Sequence, residues 1–526
     1  MRFPNAKVQR RGIPRNPFLL LMLAALASLY CNLFRFPFIP IWGGFDQVGF
    51  FIMASSRFWA GERFYLDFFD LTTPGIELVH VFFFRFFGQR NWIPNVDLIV
   101  VGLVLTTLVA FIGCKVIRTG RFLPLLPAFL FLAFGFLPVM VDSHRWFSSA
   151  ASFAALAVVM EERTLRRLAI AGGLCGIASF FTQTQGVFAV AGLAVFLLWE
   201  ERTGRSGWRK SSMKVACVAA SFIVIVLATE AYFVWKGGLE AFLDCLFRFP
   251  AVYAPLDRAD DSFHVYLSEI PRGLPLAHLL IAQGRYFLIH ALVPLIYLAF
   301  LIWYWRRGTK NEEGTRLMLI SIMGLSFFAG VAPSPSYFRL CTVSGPALVL
   351  LIYSLRKQRI LQRTAIAFLW IAALFSVAHH PMQMQTSPMS VLQLPRGPFA
   401  FPNKDFPDYQ LLDWLSVHTR PGDIFFSAGE TGIFFPLALR PMDRTTGYDN
   451  TGFTRPEDVQ NAITTLEKYP VRFIEWPPGT SDPKFYHAEE DHLGPLKRYV
   501  EVNYHLVKRF DSLDGSESRE IWQRNE

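Results

Sequence analysis

Charge is what this chain has least of. Only 17% of its 526 residues are Asp, Glu, Lys or Arg, against about a quarter in an ordinary soluble domain. That excludes a single water-soluble globule. Cysteine is sparse too: Cys31, Cys114, Cys175, Cys217, Cys245 and Cys341, with none beyond Cys341. Their spacing suits neither a disulfide framework nor a zinc ribbon, and they read as small apolar packing residues. No glycine-rich phosphate cradle, dinucleotide fingerprint or HExxH motif is present, so a cytoplasmic nucleotide site has no support. No internal repeat is visible, which sets solenoid architectures aside.

What is present is apolar and aromatic: 52% of residues are hydrophobic and 53 are Phe. About eleven apolar runs near spanning length, from Pro17–Phe34 to Ala365–Ala378, predict an α-helical polytopic membrane protein. The net charge of +10 does not point to nucleic acid. The basic residues gather between runs, as in Arg163, Arg166 and Arg167 or Arg202 to Lys214, which marks cytoplasmic loops. Met1–Asn16 is basic and precedes the first run without a clean cleavage site, so it reads as an uncleaved signal-anchor with its N-terminus in the cytoplasm.

Basic clusters fall at every second turn, and they lie inside only if Gly75–Phe87 does not cross the membrane, which leaves the C-terminus outside. That helix belongs to an unusual stretch, Phe45 to Gly88, too polar for lipid and too apolar for water. Asp46, Phe50, Ala54 and Arg57 recur at helical spacing, Gly61 ends the segment, and Thr73 and Pro74 read as cap and first residue of the next helix. The stretch predicts two surface helices within an external loop, 35–94, carrying acidic residues at their interface. The plainer alternative is a connector followed by a short span.

After His380 the composition changes. Residues 381–406 read as a linker. From 407 a soluble pattern predicts a small extracytoplasmic α/β domain, 407–526. Its expected helices are Tyr409–His418, Glu457–Lys468 and Leu493–Val502. Its expected strands are Asp423–Ser427, Val471–Trp476, His505–Phe510 and Arg519–Trp522.

Asp46 and Asp142 are acidic residues at the outer face, where desolvation is costly and function is the usual reason. Two such carboxylates can share a divalent cation, with His144 as a third ligand, or one can act as a base. Asp142 also suits the cap of a helix starting at Ser143. Arg57, Arg63, Arg145, Arg285 and Arg339 can pair with a phosphate or snorkel to headgroups. Gln183 and Gln185 can line a polar cavity or satisfy helix ends. A lipid-linked-glycan flippase is the rival reading; it wants charges at the midplane and broken helices in paired halves, but Glu230, near the outer end of its span, is the nearest candidate and no paired halves are visible. A non-catalytic scaffold is another.

The stretch FDQVGFFIMASSRFWAGERFYLDFFDLTTPGIELVHVFFFRFFG resembles the first external loop of GT-C membrane glycosyltransferases. That group includes protein O-mannosyltransferases and the lipid A aminoarabinose transferase. Asp142 matches the second external acidic position. Gly172 to Gly186 is similar to the Gly-Leu-Thr-Lys-Gln-x-Gly segment, and Tyr337 with Pro346 to the entrance of a late span. The resemblance implies a GT-C fold and a polyprenyl-phosphate-linked sugar donor at the outer face of the bacterial inner membrane. The acceptor is then an envelope glycan, lipid or protein, and transfer inverts the sugar. It implies Asp46 as base or metal ligand, Asp142 as second catalytic acid, and Arg57, Arg63, Tyr337, Arg339 and Gln183 on the donor side. The chain departs from the pattern at Gln47, Gln183 and Thr73, where relatives carry Glu, Lys and Pro.

Overall fold

The structure is a computed structural model. It describes residues 15–45, 49–204, 208–251, 289, 291, 293–307, 311–332, 335–356, 361–429, 431–445, 448, 454–476, 493–511 and 518–526. Asp46, Gln47, His264 and Arg285 lie outside the described residues, as does most of the loop 236–284.

The chain begins with helix α1 (Arg15–Leu33) and a short antiparallel pair, β1 (Phe34–Arg35) with β2 (Ile39–Pro40). The external-loop helices follow, α2 (Phe50–Trp59) and α3 (Gly75–Phe87), then the long helix α4 (Ile93–Val116). Gly61 stands two residues beyond α2 at φ +96°, a conformation that glycine adopts without strain. Helix α3 has 13 residues. At 1.5 Å per residue that is about 20 Å, well short of a ~30 Å hydrocarbon core. The expected Thr73 cap is not made: α3 has no side-chain cap, and the Thr73 hydroxyl donates to the Ser179 carbonyl at 3.2 Å.

Helix α5 (Leu123–Val139) is irregular, passing through 3₁₀, α and π turns. Pro124, Pro127 and Pro138 each remove a backbone donor there. Then come α6 (His144–Val159), α7 (Leu165–Phe181), α8 (Gln183–Gly204), α9 (Trp208–Gly237) and the short α10 (Leu239–Leu243). The bundle closes with α11 (Val293–Arg307), α12 (Glu312–Val331), α13 (Tyr337–Val343), α14 (Gly345–Leu355) and α15 (Leu361–Thr386).

Among the described residues six helices, α1, α4, α8, α9, α12 and α15, are long and apolar enough to cross a membrane. The pair α13–α14, bent by 65°, makes a seventh if counted as one span. The sequence-based count of eleven is larger because it also takes in shorter apolar helices such as α5 and α11. Helices α9 and α15 are mostly uncovered, and exposed stripes such as Phe368, Ile371, Leu374 and Phe375 recur at helical spacing. Such a stripe needs lipid rather than water around it. The chain is a multi-pass membrane protein.

Residues 381–406, expected as a linker, are ordered: α15 runs to Thr386, and β3 (Ser390–Leu392) pairs antiparallel with β4 (Phe399–Phe401). The α/β layer continues with α16 (Pro407–His418), β5 (Ile424–Ser427), α17 (Phe434–Leu437), β6 (Arg440–Pro441) and α18 (Pro456–Lys468). It ends with β7 (Phe473–Trp476), α19 (Gly494–Asn503), β8 (Tyr504–Asp511) and β9 (Ser518–Arg524). These strands form one sheet in the order β6-β5-β7-β9-β8. Its β6, β5 and β7 are parallel, while β9 runs antiparallel to both β7 and β8.

Adjacent residues of a strand face opposite sides, and the sheet is buried on both. Phe425 packs with Leu411, Leu412 and Leu415 of α16, whereas Phe426 packs with Val459, Ala462 and Leu496. The first of these cores also takes in Trp42, Phe45 and Met53. The α/β layer is therefore seated directly on the external loop.

Candidate functional site

Helix α3 carries an exposed Arg85 in its last turn and two ionisable residues on its buried side. Glu77 and His80 stand three residues apart, which places them side by side, and both are fully buried. The helix can enter so deeply because Gly75 starts it. A Cβ there would sit 2.6 Å from the Phe180 carbonyl oxygen, so only glycine lets α3 abut the end of α7.

His80 meets two carboxylates from different elements. Its Nε2 lies 2.9 Å from Asp142 Oδ2 and 3.3 Å from Asp97 Oδ2. Asp97 projects from the N-terminal end of α4, and Asp142 from the segment between α5 and α6. All three are buried. The other ring nitrogen is committed: Ser55 donates its hydroxyl to the Phe51 carbonyl at 2.5 Å, so its oxygen accepts Nδ1–H at 2.9 Å. The ring N–H direction at Nε2 aligns with neither carboxylate, and Asp97 Oδ2 and Asp142 Oδ1 also lack a hydrogen-bond partner. Burial works against charging His80, but Asp142 and then Asp97 outweigh it and raise its pKa above the ordinary value. Imidazole and carboxylate oxygens, all within 4.8 Å of one another, make a group that could hold a metal ion.

A second acidic pair borders the first. Asp70 Oδ1 accepts from both the backbone N–H and the hydroxyl of Thr72, each at 2.8 Å. Burial nevertheless pushes its carboxyl up to about 7. Glu77 is raised well above its ordinary value, by burial first and then by the Asp70 and Asp142 charges.

The other residues singled out in the sequence are placed as follows. Ser143, not Asp142, caps α6, its hydroxyl accepting from the Arg145 N–H at 3.3 Å, which leaves Asp142 for His80. His144 does not turn to Asp142. Its Nδ1 stands 2.8 Å from both the Phe181 carbonyl and the Thr182 hydroxyl, tying α6 to the end of α7. Arg57 has partners other than phosphate: Glu62 at 2.7 Å, the Asp443 carbonyl at 2.8 Å and the Asp67 carbonyl at 3.0 Å. Arg63 is bidentate to Asp67. The buried Tyr337 donates to the Phe134 carbonyl at 2.9 Å, and the backbone N–H of Arg339 is capped by Ser336. Gln183 opens α8, and its carbonyl accepts from Ser179 at 3.4 Å. Gln185 donates to Ser149 at 2.9 Å.

Asp70, Glu77, His80 and Asp97 were not singled out as site residues in the sequence reading. Their signal was their setting: lone ionisable groups inside otherwise apolar runs, where desolvation makes each one expensive.

A cavity of about 420 Å³ reaches the α5–α6 segment, and none of Asp70, Glu77, His80, Asp97 and Asp142 lines it. Leu33, Trp42, Leu137 and Val141 line it, with Asn32 and His380 as its polar wall. Val141 directly precedes Asp142.

Solved structures share this architecture, among them two of ArnT from Cupriavidus metallidurans. The crystal structure bound to undecaprenyl phosphate matches with a TM-score of 0.60 and 11% identity, over 96% of this chain and 97% of that one. The apo-state crystal structure matches over the same shares at the same identity, with a TM-score of 0.53. The chain has the GT-C fold. No protein-family model matches the sequence, and no curated protein does either. The GT-C likeness is thus carried by the arrangement of helices and α/β layer, not by residue identity.

Proposed function

We propose that this GT-C chain is an integral-membrane glycosyltransferase working at the outer face of the bacterial inner membrane. It takes a sugar from a polyprenyl-phosphate-linked donor and passes it to an envelope glycan, lipid or protein. The acceptor oxygen attacks the anomeric carbon as the bond from that carbon to the phosphate oxygen breaks. Configuration inverts, polyprenyl phosphate leaves, and the hydroxyl proton passes to Asp46 as base. A positioned base of this kind contributes roughly a hundred- to ten-thousand-fold.

The observation that carries the reading is the buried carboxylate group at the junction of α3, α4 and the α5–α6 segment, in a fold shared with a structure bound to undecaprenyl phosphate. Asp142 is the second carboxylate, acting on developing charge rather than as the base. The cavity that reaches Val141, with apolar walls and a polar edge, suits a ligand that is part lipid and part polar. Tyr337, Arg339 and Gln183 are assigned to the donor side.

Membranes carrying the native chain, Asp46→Asn or Asp142→Asn are supplied with a panel of radiolabelled polyprenyl-phosphate sugars. The native chain is expected to consume one donor, and each variant to lose that activity. Consumption of no donor by folded protein overturns the transferase reading. Equal activity of Asp46→Asn and native chain removes Asp46 from the base role.

A further inference from the structure

We propose that His80, Asp97 and Asp142 bind one divalent transition-metal ion of the zinc type. The three donors come from separate elements, α3, α4 and the α5–α6 segment, and their ligating atoms lie within 4.8 Å of one another. Zinc holds nitrogen and oxygen ligands at about 2.0–2.2 Å, so atoms sharing such an ion stand no more than roughly twice that apart. His80 Nε2 already stands inside that limit from both carboxylates, 2.9 Å from Asp142 Oδ2 and 3.3 Å from Asp97 Oδ2.

The unsatisfied atoms point the same way. His80 Nε2, Asp97 Oδ2 and Asp142 Oδ1 are buried and lack an aligned hydrogen bond. Two buried carboxylates without matching positive charge are costly, and a dication neutralises both. His80 is also prepared for the task. Its Nδ1–H is held by Ser55, which is itself held by the Phe51 carbonyl. That outer bond fixes the tautomer with its lone pair on Nε2, as in metal-bound imidazoles generally. One imidazole with two carboxylates favours zinc-like ions over magnesium, which prefers oxygen ligands alone. Three protein ligands leave a fourth position open.

Such an ion would pin the external-loop helix to the membrane bundle at Asp142. The competing occupant of Nε2 is a proton, which would make His80 an imidazolium between the same two carboxylates. The proposal does not rest on the transferase reading, because binding is read without any donor.

The full-length chain in detergent is stripped with chelator, titrated with Zn²⁺ or Mg²⁺, and followed by thermal unfolding. Retained metal is counted by mass spectrometry after desalting. The native chain is expected to retain a single zinc ion and to melt higher with Zn²⁺ but not with Mg²⁺. Asp97→Asn and His80→Gln are expected to weaken retention on the order of tenfold or more. Asp67→Asn, at a carboxylate paired with Arg63 away from this group, should retain zinc fully. A native chain that neither retains zinc nor shifts its melting overturns the proposal and gives Nε2 to a proton. Asp97→Asn and His80→Gln variants that both bind like the native chain overturn it too. If either variant fails to fold, the native titration decides alone. Zinc bound with no donor consumed leaves this site standing while the transferase reading falls.

Discussion

Arg57 reaches the backbone carbonyl of Asp443 at 2.8 Å, a bond between residues 386 apart in sequence. It joins α2 of the external loop to the turn following β6. Arg444 returns the contact, donating to the Tyr65 carbonyl at 2.6 Å, and the Phe69 N–H donates to the Arg444 carbonyl at 3.0 Å. The α/β layer thus holds the loop whose far end carries Glu77 and His80.

Arg57→Ala should therefore destabilise the junction between the loop and the α/β layer. It leaves two half-buried carbonyls and the partly exposed Glu62 carboxylate without their donor, at a cost of roughly 1–3 kcal/mol. Arg57→Lys should recover little, since an ammonium cannot reproduce three donors fixed in one plane. Thermal unfolding of the full-length chain in detergent checks this. A melting temperature equal to the native value in Arg57→Ala would show that the loop is held by its apolar contacts alone.

Gly75 predicts a sharper effect from a smaller change. A methyl group there meets backbone, the Phe180 carbonyl oxygen at 2.6 Å, and the Phe181 ring at 2.7 Å. Backbone cannot swing aside, so Gly75→Ala should cost about 1–3 kcal/mol and push α3 away from α7. Gly173 is the control, because its added Cβ would meet only Ile225 at an ordinary 3.6 Å. Gly173→Ala should leave melting nearly unchanged. Equal effects of the two substitutions would mean that α3 does not depend on this close approach.

Strands β5 and β7 were legible because apolar residues fall on both of their faces between turn residues, whereas the two-residue β6 carries no such pattern and was not expected. Asp423–Ser427 and Val471–Trp476 differ from β5 and β7 by one or two residues, and Glu457–Lys468 from α18 by one. The exclusion of α3 from the spans was legible from charge alternation, and its 13 residues agree. The ordered hairpin β3–β4 was not, because its partner is distant: the Trp42 N–H donates to the Ala400 carbonyl at 2.8 Å. The His80 group was hidden for the same reason. Asp142 could be noticed alone, but Asp97 and His80 acquire meaning only when α3 and α4 are brought together. His144, two residues from Asp142, was the nearer partner in sequence, and the end of α7 claims it.

Stability should depend on pH through the buried carboxyls. Asp70 and Asp443 are both pushed up to about 7, burial being the largest cause in each, and Glu77 is raised well above its ordinary value. A carboxyl with a raised folded-state pKa holds its proton more tightly when native than when unfolded, where it titrates near 4. Its contribution is complete below that unfolded value and is lost as pH rises through the folded one. The melting temperature should therefore fall as pH is raised from about 5 to beyond 7, opposite to the trend of a chain dominated by carboxylates ionised in salt bridges. Asp443→Asn removes one titrating group while keeping an acceptor for the Tyr448 hydroxyl, and should flatten the slope. Asp70→Asn should do the same from within the external loop. A melting temperature that rises across this range would mean that Asp70 and Asp443 are ionised in the folded chain, each with a cationic partner close by.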